Sequence, residues 1–492
     1  MRQLSSLDAQ FLHVESWTTT GHVGGLLLLD PSTAPDKQLT LDGLRAVLEP
    51  RLHLAAPLRQ RLVEVPLGLG LPYWVDDPGF DLEFHLREVA LPGDGTEEQL
   101  AEQLAWIHSR PLDRARPLWE IYLVHNVEGG RCAVYAKVHH AAIDGVTGAE
   151  ILATILDFTP EPRLVDPAGQ AWQPRLPSVA ERAVHVVTGA VRQPLTALRT
   201  LPRSLPHVGD VPVVGQIPGA KVVGDLAGAL ARLAGWGGHE PHPGSRVLHA
   251  PRTPLNARIT AHRRFAFGSL PLQQVKRVKD AFGVTVNDVV MALVTSALRR
   301  WLLDHDGLPP GPIVVAVPVS IRGQEAAGDG GNQVSVMAAE MPTHKADARV
   351  RLQLVAEAMD DAKQHFEAVP ATILQDLSAA VPTALSGLAS RALFRLVTAP
   401  GPPFNLFVSN VPGPQAPLYV GGARVLGIYP ASGVSDLTGG LNITLFSYDG
   451  ALDFGLIACR EVVPDLWHLI DYLRDALDEL LALDELSAPN AP

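Results

Sequence analysis

Two adjacent histidines open the segment HHAAIDG, in which His139 and His140 are followed by Asp144 and Gly145. A neutral imidazole near pH 7 accepts a proton from an alcohol as the alcohol attacks an acyl carbonyl, and no covalent enzyme intermediate is then required. With the His and Gly frequencies of this chain, the pattern His-His-x-x-x-Asp-Gly arises by chance in about 0.004 of such chains. Chance is therefore a poor explanation, and the segment predicts a catalytic base.

The surrounding sequence places the histidines at the end of a strand. Two apolar runs, WEIYLVHNV and CAVYAKVHH, flank the turn at residues 128–130, which is typical of a β-hairpin. Neighbouring strand residues point to opposite faces, so only one histidine enters a shared cavity. The residues alone leave two readings open, a base with a supporting neighbour or two satisfied polar side chains. Asp144 and Gly145 are equally well explained as a helix N-cap and a permissive glycine.

Several other kinds of site are not supported by the sequence. The glycine patterns of a serine-hydrolase elbow, a Walker loop and a dinucleotide fold are absent. Opposite-facing histidines do not ligate one ion, so no metal site is expected. The two cysteines, Cys132 and Cys459, give no disulfide framework and fit a reducing compartment, and the net charge of −12 argues against nucleic-acid binding.

The chain is long enough, at 492 residues, for two or three domains with a large core. Helix and strand patterns alternate in both parts, whereas the pattern weakens between about 160 and 248 into segments punctuated by Pro and Gly. We therefore predict an α/β (α+β) fold with an N-terminal subdomain at 1–160 that carries HHAAIDG. A linker with amphipathic helices at 161–248 and a C-terminal subdomain at 249–492 follow.

The N-terminus and the apolar stretches predict a cytoplasmic, non-secreted protein. Asp8 and Glu15 interrupt the first segment, which is therefore not a secretory signal. The longest charge-free stretch, between Arg395 and Arg424, contains six prolines and is not a spanning helix.

The segment HHAAIDG resembles the HHxxxDG signature of CoA-dependent acyltransferases with the chloramphenicol acetyltransferase-like fold, which include the condensation domains of peptide synthetases. Further segments, spread over almost the whole chain, resemble the wax ester synthase/diacylglycerol acyltransferase family. They are LSSLDAQFLHVES with HVGG, PLW at 117–119, RTPLNARITAHRR, TVNDVVMA, VPVSIR with GNQVSVM, SNVPGP, and LNITLFSYDGALDFGLIACR. Together these segments are far more specific than the signature alone.

The resemblance implies two chloramphenicol acetyltransferase-like halves with an active-site channel between them. It implies an O-acyltransferase that moves a long-chain acyl group from acyl-CoA to diacylglycerol or a fatty alcohol, giving triacylglycerol or wax ester. Acyl-CoA is a co-substrate, and no resident cofactor is expected. Two rivals stay open: a condensation-type acyltransferase that uses a carrier protein, and a catalytically idle homologue that binds lipid droplets.

The resemblance also implies roles around the motif. His140 is the general base with His139 as its support, and Asp144 shapes the loop by pairing with an arginine, for which Arg322 is a candidate. Gly145 leaves room for substrate in the channel.

Six more residues are candidates for substrate binding. Asn287 and Asp288 match the family's Asn-Asp pair near the tunnel, and Glu15 and Trp119 match family positions, although a buried Trp is more often part of a core. The arginines Arg263 and Arg264 are candidates for the CoA phosphates, with Arg252 and Arg258 nearby, and a solvated surface is the equal alternative.

The linker predicts peripheral contact with a membrane or lipid droplet. Its part from Arg182 to Arg232 carries six basic residues against two acids in a chain that is acidic overall. The basic residues are Arg182, Arg192, Arg199, Arg203, Lys221 and Arg232, and the acids are Asp210 and Asp225. Neutralising these basic residues should reduce co-sedimentation of the protein with anionic vesicles, and unchanged binding would mean that the segment is a solvated connection.

Overall fold

The computed structural model of the chain describes residues 2–65, 71–143, 151–152, 154–165, 181, 250–320, 334–368 and 402–487. Asp144, Gly145, Arg322 and almost the whole predicted linker at 161–248 lie outside the described residues. The predictions made for them stay predictions.

The elements of the N-terminal part alternate between strands and helices as the sequence predicts. The strands are β1 (Arg2–Gln3), β2 (His22–Asp30), β3 (Gln60–Val63), β4 (Tyr73–Asp76), β5 (Leu86–Ala90), β6 (Trp119–Val127) and β7 (Arg131–His139). The helices are α1 (Ser6–His13), α2 (Leu41–Leu48), α3 (Leu82–His85) and α4 (Glu97–Ser109). The predicted β6–β7 hairpin is confirmed, and its turn contains Gly129 and Gly130 at φ of 73° and 72°, where a residue with a side chain would be strained.

The C-terminal part has the same alternating character. Its strands are β8 (Arg263–Pro271), β9 (Ile313–Ser320), β10 (Val334–Met341), β11 (Leu406–Pro412), β12 (Tyr419–Val420), β13 (Ala423–Ala431), β14 (Leu441–Tyr448) and β15 (Ala451–Cys459). Its helices are α5 (Leu272–Phe282), α6 (Val286–Asp304), α7 (Ala348–Ala368) and α8 (Trp467–Ser487). Thr285 and Asp288 form a capping box that starts α6, each side chain bonding the other's backbone N–H.

Two mixed six-stranded sheets organise the described residues. The first has the order β12-β13-β2-β7-β6-β5, and the second has the order β10-β9-β11-β14-β15-β8. A small sheet, β1-β4-β3, lies beside the first. This mixed α/β arrangement is the predicted fold class.

The C-terminal part of the chain contributes strands to the N-terminal sheet. β13 pairs antiparallel with β2 over Arg424–Ala431, and β12 pairs with β13. Residues 419–431, which belong to the predicted C-terminal subdomain at 249–492, therefore complete the sheet of the N-terminal half. Hydrophobic patterning shows which face of a strand is buried but not which strand lies beside it.

The N-terminal sheet separates two hydrophobic cores. Leu27 and Leu29 of β2 point into a core shared with α1 and α2, whereas Leu26 and Leu28 point into the larger core formed with α4 and the C-terminal half. Because both faces of β2 are buried, the strand is a nearly continuous run of leucines. The sheet that carries the histidines is thus packed on both sides.

A buried carboxyl links the two sheets directly. Asp453 of β15 accepts hydrogen bonds from the Ser269 hydroxyl at 2.6 Å and from the backbone N–H of Ile428 in β13 at 2.8 Å. Burial raises the pKa of Asp453 to about 6, although both hydrogen bonds oppose the rise. Strand β13 is therefore joined to β2 by backbone pairing and to the second sheet by the Asp453 side chain.

No single helix in the described ranges is both long and apolar enough to span a bilayer. The pair α5 and α6 meets the length and composition criteria only jointly, across a bend of 102°.

At Gly455, strand β15 lies close to the backbone of β13, and this contact generates a stability prediction. A Cβ atom at this position would lie 1.6 Å from the carbonyl oxygen of Pro430 in β13. Gly455→Ala should therefore lower the free energy of unfolding by at least ~2 kcal/mol, because backbone has to move. Gly25→Ala in β2 is the matched control, since its Cβ meets nothing within 4 Å. Equal urea midpoints for the two variants would contradict this packing.

Candidate active site

The histidine pair lies where strand β7 changes into a tight turn. β7 ends at His139, and residues His140–Ala142 form one turn of 3₁₀ helix. The His139 Nδ1 atom accepts a hydrogen bond from the Ala141 N–H at 3.0 Å, and the His140 N–H donates to the carbonyl oxygen of Gly21 at 2.7 Å. The backbone of both histidines is therefore fixed by β2 and by the turn itself.

Strand alternation separates the histidines, as predicted. Val134 and Val138 belong to the N-terminal core, and Tyr135 belongs to the core shared with the C-terminal half. His140 continues the first set and stacks on Phe11 of α1, with ring centroids 4.1 Å apart and planes 17° from parallel. The two imidazoles consequently occupy different surroundings, and their roles are separable by mutation.

The His140 residue is half-buried, and its imidazole is neutral at pH 7. Burial lowers its pKa to about 4, and the neighbouring His139 adds to the effect. A neutral imidazole accepts a proton on the ring nitrogen that carries no hydrogen. This is the protonation state that a general base needs.

His139 is buried and bonded to a carboxylate. Because its Nδ1 atom accepts from Ala141, its Nε2 atom carries the hydrogen and donates to Oε1 of Glu15 at 3.1 Å. The same carboxylate oxygen accepts from the Gly21 N–H at 2.8 Å. These bonds fix the Nε2–H tautomer of His139.

The Glu15 carboxylate is ionised although it is partly buried. Desolvation alone would raise its pKa, but the interaction with His139 and the hydrogen bonds from Arg114 and the Gly21 N–H lower it to about 2. The predicted site residues Glu15, His139 and His140 are therefore brought together by the fold.

Arg114 is a member of this site that sequence reasoning missed. Its Nη2 atom bonds the second oxygen of Glu15 and also donates to the carbonyl oxygen of Leu12 at 2.8 Å. Arg114 lies 99 residues from Glu15. No spacing pattern could have connected them, although Arg114 lies three residues before Pro117 of the recognised PLW segment.

A second missed group is a buried polar network on the His139 face of β7. The Lys137 ammonium donates to the carbonyl oxygens of Ile107 at 3.1 Å and Arg110 at 2.9 Å, so it caps the C-terminal end of α4. Burial lowers the pKa of Lys137 to about 8. The His108 ring of α4 bonds the Tyr135 hydroxyl at 2.6 Å. The network joins α4 firmly to the strand that ends at the histidines.

Asn287 and Asp288 lie at the first turn of α6 in the C-terminal half. The Asp288 carboxylate accepts a hydrogen bond from the Thr285 N–H in the capping box at the start of that helix. Asn287 is half-buried, and its side-chain oxygen accepts a hydrogen bond from Asn410 of β11 at 3.2 Å. Asn410 belongs to the recognised SNVPGP segment, so two recognised segments meet at this position.

Trp119 lies in the N-terminal core and favours the structural alternative. Its indole N–H donates to the carbonyl oxygen of Leu58 at 2.8 Å, and its ring stacks on His85 at 4.3 Å. The side chain is only 1% exposed. The substrate-binding prediction for Trp119 is not supported by this position.

The predicted contact of Arg263 with a CoA phosphate is corrected. Its guanidinium is buried and donates to the carbonyl oxygens of Thr260, His262 and Thr18. It therefore ties β8 to the loop after α1 instead of facing solvent. Arg264 is partly exposed on the same strand, and its phosphate contact stays a prediction.

The fold is shared with a condensation domain of known structure. The first condensation domain of the calcium-dependent antibiotic synthetase matches all of this chain and 98% of its own, with a TM-score of 0.53 and 19% identity. At that identity the likeness shows the fold alone. It agrees with the two-halved architecture that the sequence predicts.

Closer likenesses identify the family. The model of the wax ester synthase/diacylglycerol acyltransferase catalytic domain matches residues 4–290, and that of the WS/DGAT C-terminal domain matches residues 330–481. This chain belongs to the wax ester synthase/diacylglycerol acyltransferase family.

Individual relatives match along nearly their whole length. A putative diacylglycerol O-acyltransferase of Mycobacterium tuberculosis is 36% identical over 98% of this chain and 90% of its own. The solved structure of the wax ester synthase/diacylglycerol acyltransferase of Marinobacter aquaeolei covers 99% of this chain and 100% of its own, with 32% identity and a TM-score of 0.69.

The Glu15 carboxylate generates a prediction for stability against pH. Its folded-state pKa of about 2 lies below the ordinary 4.5, so its stabilisation is present above pH 4.5 and is lost as the pH falls toward 2. Glu15→Gln should lower the free energy of unfolding by up to about 3 kcal/mol at pH 7 and by much less at pH 3. Urea unfolding of both proteins at the two pH values measures this, and a pH-independent difference would refute the ionic role.

Proposed function

We propose that this chain transfers a long-chain acyl group from acyl-CoA to the hydroxyl of diacylglycerol or a fatty alcohol, with His140 as the general base. The observation that carries the proposal is the neutral His140 imidazole, which stacks on Phe11 in the turn that follows strand β7, beside the buried His139. Membership of the wax ester synthase/diacylglycerol acyltransferase family supports the substrate classes.

The reaction runs in one displacement with a tetrahedral intermediate. His140 accepts the proton of the acceptor hydroxyl while the alcohol oxygen attacks the thioester carbonyl carbon. As the intermediate collapses, the carbon–sulfur bond breaks and the CoA thiolate takes the proton from the His140 imidazolium. The products are an ester and CoA with a free thiol, and no covalent enzyme intermediate forms.

The low pKa of His140 keeps the base unprotonated at neutral pH but makes it weak in the resting enzyme. Negative charge that develops on the acyl oxygen stabilises the imidazolium, because an opposite charge nearby favours the charged form. The basicity of His140 therefore rises as the transition state forms. A desolvated imidazole thus stabilises the transition state more than the resting state.

The other candidate residues support this chemistry in separate ways. His139 positions the turn through Glu15, and Asp144 shapes the loop that follows, with Gly145 leaving room for the substrate. The Asn287 amide lies within 3.2 Å of Asn410 and presents its remaining hydrogen-bonding capacity to the acyl or acceptor group. Acyl-CoA is consumed as a co-substrate, and the reaction needs no metal or redox group.

The proposed setting is the cytoplasm, in peripheral contact with a membrane or lipid droplet. Both acceptors and the ester product are poorly soluble in water, so exchange with a lipid phase avoids exposing them. The basic linker supplies charges for that contact.

Thiol release from palmitoyl-CoA tests the activity. Addition of hexadecanol or diacylglycerol should accelerate the appearance of free thiol, with the matching ester in the lipid extract. No release with either acceptor, together with binding of the protein to lipid droplets, would identify an idle homologue. Transfer only from an acyl carrier protein would identify a condensation-type enzyme.

The two histidine substitutions should behave differently. Removal of a general base costs a factor of about 10² to 10⁴ in rate, so His140→Ala should nearly abolish turnover while the melting temperature stays close to wild type. His139→Ala removes a buried hydrogen-bonded side chain, so its residual activity should be higher and its melting temperature lower than those of His140→Ala. Equal rate losses with unchanged melting temperatures would show that His140 has been wrongly singled out.

A further inference from the structure

Arg114 lies on the connection between α4 and β6 and ends in a cluster that the proposed chemistry has not used. Its guanidinium bonds two groups at once, the carboxylate of Glu15 and the carbonyl oxygen of Leu12 near the end of α1. The side chain is 41% exposed and the Glu15 side chain 16% exposed. The ion pair therefore lies at the rim of the site, with the carboxylate on the inner side.

The path from Arg114 to the base is continuous. Glu15 accepts from His139, and His139 in turn accepts from the backbone of Ala141, inside the turn that starts with His140. The bond to Leu12 fixes the end of α1, the helix whose Phe11 ring stacks on His140. Arg114 thus reaches the base from two sides without touching it.

We propose that Arg114 is a positioning residue of this acyltransferase, which holds the end of α1 and balances the Glu15 charge that faces the His139–His140 turn. The inference rests on the proposed role of His140 as the base. Without Arg114, the carboxylate keeps its two other donors but carries an uncompensated negative charge beside the histidines. With Arg114 present, the Glu15–Arg114 pair is neutral and the turn faces no net charge from it.

Other ionisable groups lie on the elements that adjoin the same turn. They are Asp8, His13 and Glu15 in and directly after α1, His22 on β2, Lys137 and His139 on β7, and Arg114 on the connection before β6. Glu15 contacts His139 directly, and Arg114 contacts Glu15. A change at either partner of this ion pair therefore alters the charge nearest to the histidines.

Substitutions that change the charge of the Glu15–Arg114 pair should shift the acid limb, which is the pH at which kcat/KM falls on the acid side. Arg114→Met leaves a negative charge, which favours the imidazolium of His140, so the acid limb should move up by about half a unit to one unit. Glu15→Gln leaves a positive charge, so the limb should not rise. The double variant is neutral again, and its limb should return to the wild-type pH.

If Arg114 positions the His139–His140 turn, its substitution should lower kcat and leave KM nearly unchanged. Arg114→Met should reduce kcat about ten-fold or more, because a small misplacement of a catalytic group is costly. The KM for palmitoyl-CoA should stay within about two-fold, since Arg114 is proposed to act through other residues. Arg114→Lys keeps the charge but not the two-sided contact, so its limb should match wild type while its kcat is intermediate.

Arg116→Met is the matched control, because it removes the same charge two residues away. Arg116 pairs with Asp113 at 3.8 Å on the surface and lies over the Phe84 ring. Its kcat and acid limb should equal those of wild type. A loss as large as that of Arg114→Met would overturn the inference, since it would show a general sensitivity of this connection.

The experiment measures thiol release from palmitoyl-CoA with hexadecanol between pH 3.5 and 8, using 4,4′-dithiodipyridine, and the melting temperature of every variant. A wild-type acid limb and kcat in Arg114→Met, with His140→Ala inactive, would overturn the inference and leave the proposed function intact. An inactive wild type would refute the proposed function instead, and NMR titration of the His140 ring then decides whether Arg114→Met raises the pKa of that ring.

If Arg114→Met does not fold, Arg114→Lys replaces it in the same measurements. An unchanged kcat in Arg114→Lys would then overturn the inference.

Discussion

The ion pair between Arg114 and Glu15, with the hydrogen bond from Glu15 to His139, is the interaction on which the geometry of the site depends. A partly buried carboxylate is stable only when donors and an opposite charge compensate for the lost water. Those donors come from the strand end, from Gly21 and from the α4–β6 connection. The carboxylate therefore joins three chain segments beside the histidine pair.

The rest of the fold keeps this meeting point rigid. β7 lies in the middle of a sheet that is packed on both faces, and Lys137 joins it to the end of α4. The sheet is itself completed by β13 from the C-terminal part, which Asp453 ties to the second sheet. The N-terminal sheet therefore includes strands from the C-terminal part, and the histidines lie at the end of a strand that is paired on both sides.

Local features of the fold were predictable from the sequence, and long-range partners were not. The β6–β7 hairpin and the separation of His139 from His140 follow from turn chemistry and from the period of two in a strand. The pairing of β13 with β2, and that of Glu15 with Arg114, depend on tertiary contacts that no local pattern encodes. Arg263 appeared as a surface charge because sequence alone does not reveal that three carbonyl groups surround it.

Titration of the His140 imidazole by NMR in the intact chain tests most directly whether this residue is poised as a base. Its resonance is assigned by its loss in His140→Ala, and the ring shifts are followed from pH 7.5 to pH 3.5. Desolvation lowers the pKa to about 4, so the ring should stay neutral through pH 5 and begin to protonate only below it. A midpoint near 6.5, the ordinary value for histidine, would contradict the desolvated site.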